Sequence, residues 1–261
     1  MLCFSAEVRK YRLDERLQAH LRIGEVLQRR WEQHGHRVSL FSVLRHRNEV
    51  VKDRDIIDVS LATMNADGGD AAMRATGYES ALEYYITGIH LLGQEQWRTQ
   101  SDLAFRLHFG AADAARLSTR FEDMYRWLRA IDHERVPLMD QVQVRLLEIL
   151  YLSHAGKNLE AVNIARQALG LLGWNMPKSP GLPRVVAGLV KTRLKLRKLP
   201  VAEMAHLPVM TDELANATVN VLSETLSAAY FADPLLMALM IQKAIQLTAE
   251  HGNCPASAHM Y

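Results

Sequence analysis

A chain of 261 residues, 49% hydrophobic and 23% charged, carries enough apolar material to bury a substantial core, which excludes a disordered polymer. Its formal charge is +2, so no whole-molecule field draws in nucleic acid or an anionic membrane, and any binding surface has to be local. Cys3 and Cys254 are the only cysteines, too few for a disulfide framework or a thiolate metal site, and two isolated thiols fit a reducing cytoplasm.

Long alternating runs of Val, Ile and Thr are absent, so the chain reads as all-α. Apolar periodicity predicts a first helix over about 14 to 31, through Leu17, Leu21, Val26 and Leu27. A second is expected over about 37 to 50, from Val38 to Leu44, after a break at Gly35. A third should start near Asp53 and carry Ile56, Ile57, Val59, Leu61 and Met64. The run NADGGDAA, 65 to 72, is expected to break or bend that helix, since each interior glycine costs roughly 1 kcal/mol.

The next helix covers about 78 to 92, with Gly93 as its stop. QSDLAFRLHFGAADAARLS and RFEDMYRWLRAI follow as a pair, and then PLMDQVQVRLLEILYLSHAG with NLEAVNIARQALGLLG. In each pair a helix, a short break and a second helix form the hairpin unit of a solenoid. Ala81, Met124 and Ala161 fall at equivalent places in the second helices. So do Tyr84, Trp127 and Ile164, and then Gly88, Ile131 and Ala168. Small residues at the outer two places let helix backbones approach while the bulky one fills the groove.

Beyond 173, WNMPKSPGLP reads as a linker. A basic helix over about 184 to 198 puts Lys191, Lys195 and Lys198 on one stripe. That stripe is either an anion site or a solvated face, and the absence of interleaved aromatics favours the second. Thr211-Asp212 caps a helix of about 213 to 230, and Asp233-Pro234 opens another that Gly252 ends. PASAHMY from Pro255 is too short a helix to stand alone, so a longer protein or a partner is expected to complete it.

GYESALEYYITGIHLL resembles the second helix of a tetratricopeptide repeat, with Tyr78, Ala81, Tyr85 and Gly88 in the family's alternation of aromatic and small residues. AGKNLEAVNIARQAL is similar, with Gly156 at the turn and Ala161, Ala165 and Ala168 at small positions, whereas Met124 and Ile131 depart from it. Over nearly the whole chain, LQAHLRIGEVL, the repeat helices, LPVMTD and AYFADPLLMALMIQKAIQLTAEHGNCPASA resemble, in that order, a helical region of large bacterial signalling proteins. There it follows an AAA-type (STAND-like) ATPase and links it to sensor and histidine kinase domains, often behind a serine/threonine kinase domain. The resemblance implies a tetratricopeptide-like solenoid with a right-handed superhelix. Its expected divisions are an N-terminal helical pair (1–50), divergent repeats (51–175) and C-terminal helical repeats (176–261).

Catalytic signatures are missing. HAGKN at 154–158 has Gly156-Lys157, but Tyr151 stands where a phosphate loop begins with glycine. No kinase set and no G-x-S-x-G elbow occurs. GGD at 68–70 is followed by Ala71 and Ala72, not by the residues of a cyclic-dinucleotide synthase. His34 and His36 flank Gly35 without a carboxylate to complete a metal site. The expectation is therefore no catalytic, cofactor or metal residue, and no enzyme on this chain.

What remains is an interaction surface, with Tyr84, Tyr85, Trp127, Lys191, Lys195 and Lys198 as candidates. Core packing between hairpins is the competing reading of the aromatics, and the favoured one. The expected partner is a protein or other domains of a longer signalling polypeptide, with no membrane and no nucleic acid; a homo-oligomer through exposed terminal repeats stays open. The rival function is a sensor or transcriptional regulator that takes a peptide or small molecule in its concave groove.

Overall fold

Helix-forming residues run almost unbroken through this chain, and its turns are set by a few left-handed residues and aspartate caps. In a computed structural model, which describes residues 2–34, 39–52, 54–197, 201–204 and 206–260, the fold is all-helical, with no strand among the described residues. His36, Gly35, Val38, Asp53 and Lys198 lie outside the described residues. No described helix is long and apolar enough to cross a membrane.

Two compact units divide the chain at Val136/Pro137, inside the stretch 51–175 that sequence alone groups as one set of repeats. The first holds α1 (Leu2–His34), α2 (Leu40–Val51), α3 (Val59–Arg74), α4 (Tyr78–Leu92), α5 (Gln96–Thr99), α6 (Ser101–Leu117) and α7 (Phe121–Arg129). The second holds α8 (Leu138–His154), α9 (Asn158–Leu171), α10 (Leu182–Leu196), α11 (Val201–Met204), α12 (Glu213–Ala232) and α13 (Pro234–His251). In the first unit α1 packs on α2, α3 on α4, α4 on α6 and α6 on α7; in the second, α8 packs on α9, α9 on α12, and α13 on α12 and α10.

The hairpins α3–α4, α6–α7 and α8–α9 share one turn. Thr76, Thr119 and Gly156 take left-handed backbones, with φ of 59°, 60° and 71°. The next residue then donates its N–H five residues back: Gly77 to Ala72, Arg120 to Ala115 and Lys157 to Leu152, at 2.9, 2.8 and 2.8 Å. This is the hydrogen bond that closes a helix C-terminus in a Schellman turn. Each turn stands five residues before Ala81, Met124 and Ala161, all fully buried. Tyr84, Trp127 and Ile164 are each half-buried, and Gly88, Ile131 and Ala168 buried. One register therefore governs turn and packing in all three hairpins.

Threonine in a left-handed conformation is strained by ~1–3 kcal/mol, against an unfolded-state entropy cost of glycine of roughly 0.5–1 kcal/mol. Thr119→Gly is thus expected to stabilise the first unit by about 1 kcal/mol, measured as a higher urea midpoint at unchanged slope; a lower midpoint would refute the strain.

Several expected boundaries move. The helix α1 starts at Leu2, not near 14, because no breaker interrupts the first residues. The third helix starts at Val59 rather than near 53: Asp58 Oδ1 accepts from Leu61 N at 2.9 Å and caps it, leaving Ile56 and Ile57 on a non-helical connector. NADGGDAA does not break α3, which runs through it. A Cβ on Gly69 would sit 2.5 Å from the Tyr85 ring, and one on Gly68 would strike Leu44, so close packing holds both glycines in the helix. The helix α7 stops at Arg129, leaving Ile131 buried beyond it.

Candidate functional site

The first unit contains an open groove of about 1220 Å³ between α2 and α4, bounded by Lys52, Arg54, Asp55 and Ile56 of the connector and by Gly93, Gln94 and Gln96. Three local features build it. Asn48 of α2 and Asn65 of α3 exchange amide hydrogen bonds of 2.7 and 2.9 Å, seating α2 on α3. Asp58 donates its N–H to Leu91 O at 3.0 Å and its carboxylate pairs with Arg47 at 3.4 Å, so the connector is tied to both walls. Gly93, with φ +69°, turns α4 away beside Ile57.

Gly68 decides the floor. Its missing side chain lets Leu44 settle onto α3, and beside it the Tyr84 ring stacks with Phe41 of α2, centroids 5.7 Å apart and planes at 27°. Burial, with the Glu83 carboxylate second, pushes the Tyr84 phenol above its usual pKa, so it remains a neutral hydrogen-bonding tip on an apolar ring. Around this aromatic pair, Arg45, Lys52 and Arg54 line the groove together with Glu49, Asp55 and Glu83. A groove with an aromatic centre and charges of both signs suits a mixed polar and apolar segment of polypeptide.

The sequence candidates are distributed unevenly. Tyr84 lines the groove. Tyr85 is 2% exposed and lies in the core, donating to Asp70 Oδ1 at 2.6 Å; its pKa is raised by burial and by that bond. Trp127, half-buried on α7, meets His108 edge-on at 5.8 Å and carries Arg126 over its ring at 5.1 Å. Neither residue lines the groove. On α10, Lys191 is exposed and Lys195 pairs with Glu250 of α13, which lowers the Glu250 carboxyl below its usual value. The expected cationic stripe is thereby part-neutralised.

Phe41, Arg45 and the connector are groove residues that sequence reading missed, because their shared wall appears only when α2 and α4 are side by side. A second missed feature is His108, buried between Trp97 and Trp127. No group of three or more His, Cys, Asp or Glu able to hold a metal ion occurs among the described residues. His20 and His46 do approach, with Nδ1 atoms 3.1 Å apart across α1 and α2. No protein-family model, no curated protein and no solved structure matches this chain.

Proposed function

We propose that the chain is a non-catalytic helical-repeat scaffold that docks a protein segment, a cytoplasmic coupling module of a bacterial ATPase/kinase signalling protein. Its hairpins would stack as a tetratricopeptide-like, right-handed superhelix, a reading supported by the shared turn and burial register of α3–α4, α6–α7 and α8–α9. The observation that carries the docking role is the α2/α4 groove with its Phe41–Tyr84 pair.

Size favours a peptide over a small molecule. Small-molecule sites span ~300–1,000 Å³ and are mostly apolar, whereas this groove is about 1220 Å³, open, and lined by charges of both signs. Aromatic anchors dominate such interfaces, and truncating one typically costs more than ~1 kcal/mol of binding.

The test is selection of peptides from a displayed library against the purified chain, followed by affinity measurement with Tyr84→Ala. Binding should weaken by about tenfold while the melting temperature stays within a few degrees. Peptides that bind the variant equally well, or a library that yields none, would overturn the groove. A small molecule retained in native mass spectrometry would transfer the site to the sensor reading.

A further inference from the structure

The helix α10 is mounted inside out. Its polar and small residues face α13: Gln242 Nε2 donates to Val185 O at 3.1 Å, Gln246 Nε2 to Thr192 Oγ1 at 2.7 Å, and Gly188 leaves room for the Gln242 side chain. Lys195 reaches Glu250 at the end of the same seam. The opposite face carries Leu182, Val186, Leu189, Val190 and Leu194, each between 50% and 61% exposed. Steps of three and four residues place these five on one stripe. Scattered exposed leucines are ordinary, but a helix-long apolar stripe marks an interaction surface.

Charge identifies the occupant. From Leu182 to Lys198 the chain has no acidic residue, and Arg184, Lys191, Arg193 and Arg197 are exposed without an ion-pair partner among the described residues. Arg193 follows Leu189 by four residues and Arg197 follows Leu194 by three, so both cations continue the apolar stripe. An anionic bilayer fits this poorly: helices lying in a membrane surface keep their cations on the polar face, whereas Arg193 and Arg197 lie on the apolar stripe of α10. A second copy of α10 would oppose cation to cation if parallel and, having no acidic residue, would leave Arg193 and Arg197 against apolar side chains if antiparallel.

We propose that this face docks an amphipathic helix of a protein partner, whose apolar stripe is continued or flanked by aspartate and glutamate. Leucines of the two helices would interdigitate ridge into groove, and Arg193 and Arg197 would each grip a carboxylate in fork geometry. It extends docking to a second face in the other compact unit and does not depend on the α2/α4 groove.

The experiment uses the full chain and a fluorescent leucine-heptad peptide with glutamate at the flanking positions, beside the same peptide with lysine there. Vesicles of phosphatidylcholine with and without phosphatidylserine form the third arm. The glutamate peptide should bind and the lysine peptide should not. Leu189→Asp should weaken binding by about tenfold at an unchanged melting temperature. The double variant Arg193→Glu, Arg197→Glu should exchange the preference to the lysine peptide, a reversal that a merely structural role would not produce. Tyr84→Ala should leave this binding intact, so failure here removes the α10 face alone. Equal affinity for both peptides, no binding of either, or binding of anionic vesicles in their place would overturn the proposal.

Discussion

Replacing Tyr85 by alanine is expected to destabilise the first compact unit by about 3–5 kcal/mol. Its ring lies between two glycine backbones: a Cβ on Gly69 of α3 would sit 2.5–2.7 Å from it, and one on Gly110 of α6 would sit 2.6–2.9 Å away. Its hydroxyl donates to Asp70, whose other oxygen accepts from Arg106 Nε at 3.1 Å, while Arg106 also reaches Asp67 at 2.7 Å. One aromatic ring thus joins α3, α4 and α6. Tyr85→Phe isolates the hydroxyl and should cost about 1.5–3 kcal/mol, as for a hydrogen bond to a charged acceptor.

The decisive measurement is a change of sign. Gly69→Ala alone places a methyl against a ring that Gly110 backs on its other side, so overpacking of ~1–3 kcal/mol outweighs the ~1 kcal/mol that alanine gains in helix propensity. In the Tyr85→Ala background the ring is gone and only propensity remains. The same substitution should then stabilise by about 1 kcal/mol. Strict additivity of the two changes in a denaturation cycle would show that the ring does not separate these helices.

The same junction explains what could and could not be read from sequence. The bounds of α4, the Asp212 and Asp233 caps and the Gly93 and Gly252 stops rest on residues within a turn of the feature they control, so they are legible locally. Gly68 and Gly69 are not. In sequence they resemble a breaker, and only Leu44 of α2 against Gly68 and Tyr85 of α4 against Gly69 turn their lack of a side chain into a packing requirement. The two threonine turns were hidden likewise, because a left-handed Thr76 or Thr119 contradicts its own local preference.

Of the site, Tyr84 was visible through its place in the repeat, but its partner Phe41 was not, since nothing in the α2 sequence says which helix it will face. The lysines of α10 could be placed on a stripe. Which stripe looks outward depended on Gln242 and Gln246, more than fifty residues later in the chain, whose amides hold the polar side of α10 inward.

A pH titration of stability should expose a large contribution from His108. Its imidazole sits between Trp97 and Trp127, with ring centroids at 5.3 and 5.8 Å. Nε2 lies 3.3 Å from Gln96 Oε1, while Nδ1 is buried without a partner. The Trp97 ring, tilted 32° to the imidazole, would favour a cation by at most roughly 0.5–2 kcal/mol, but burial opposes it more strongly and holds the pKa down to about 4 from 6.5. The folded value is below the unfolded one, so between pH 6.5 and 4 the unfolded chain binds the extra proton. Stability is therefore full above about pH 6.5 and falls as the pH drops, by ~1.4 kcal/mol per unit and about 3 kcal/mol in all. His46, also lowered by burial, and the depressed Glu250 carboxyl add their own acid losses, so the quantity to follow is wild type minus His108→Phe. Phenylalanine keeps the ring between the two indoles and has nothing to protonate. The difference in unfolding free energy should shift by about 3 kcal/mol across that window and level off below pH 4; a difference that stays constant from pH 7 to 4 would mean that His108 is charged in the folded protein.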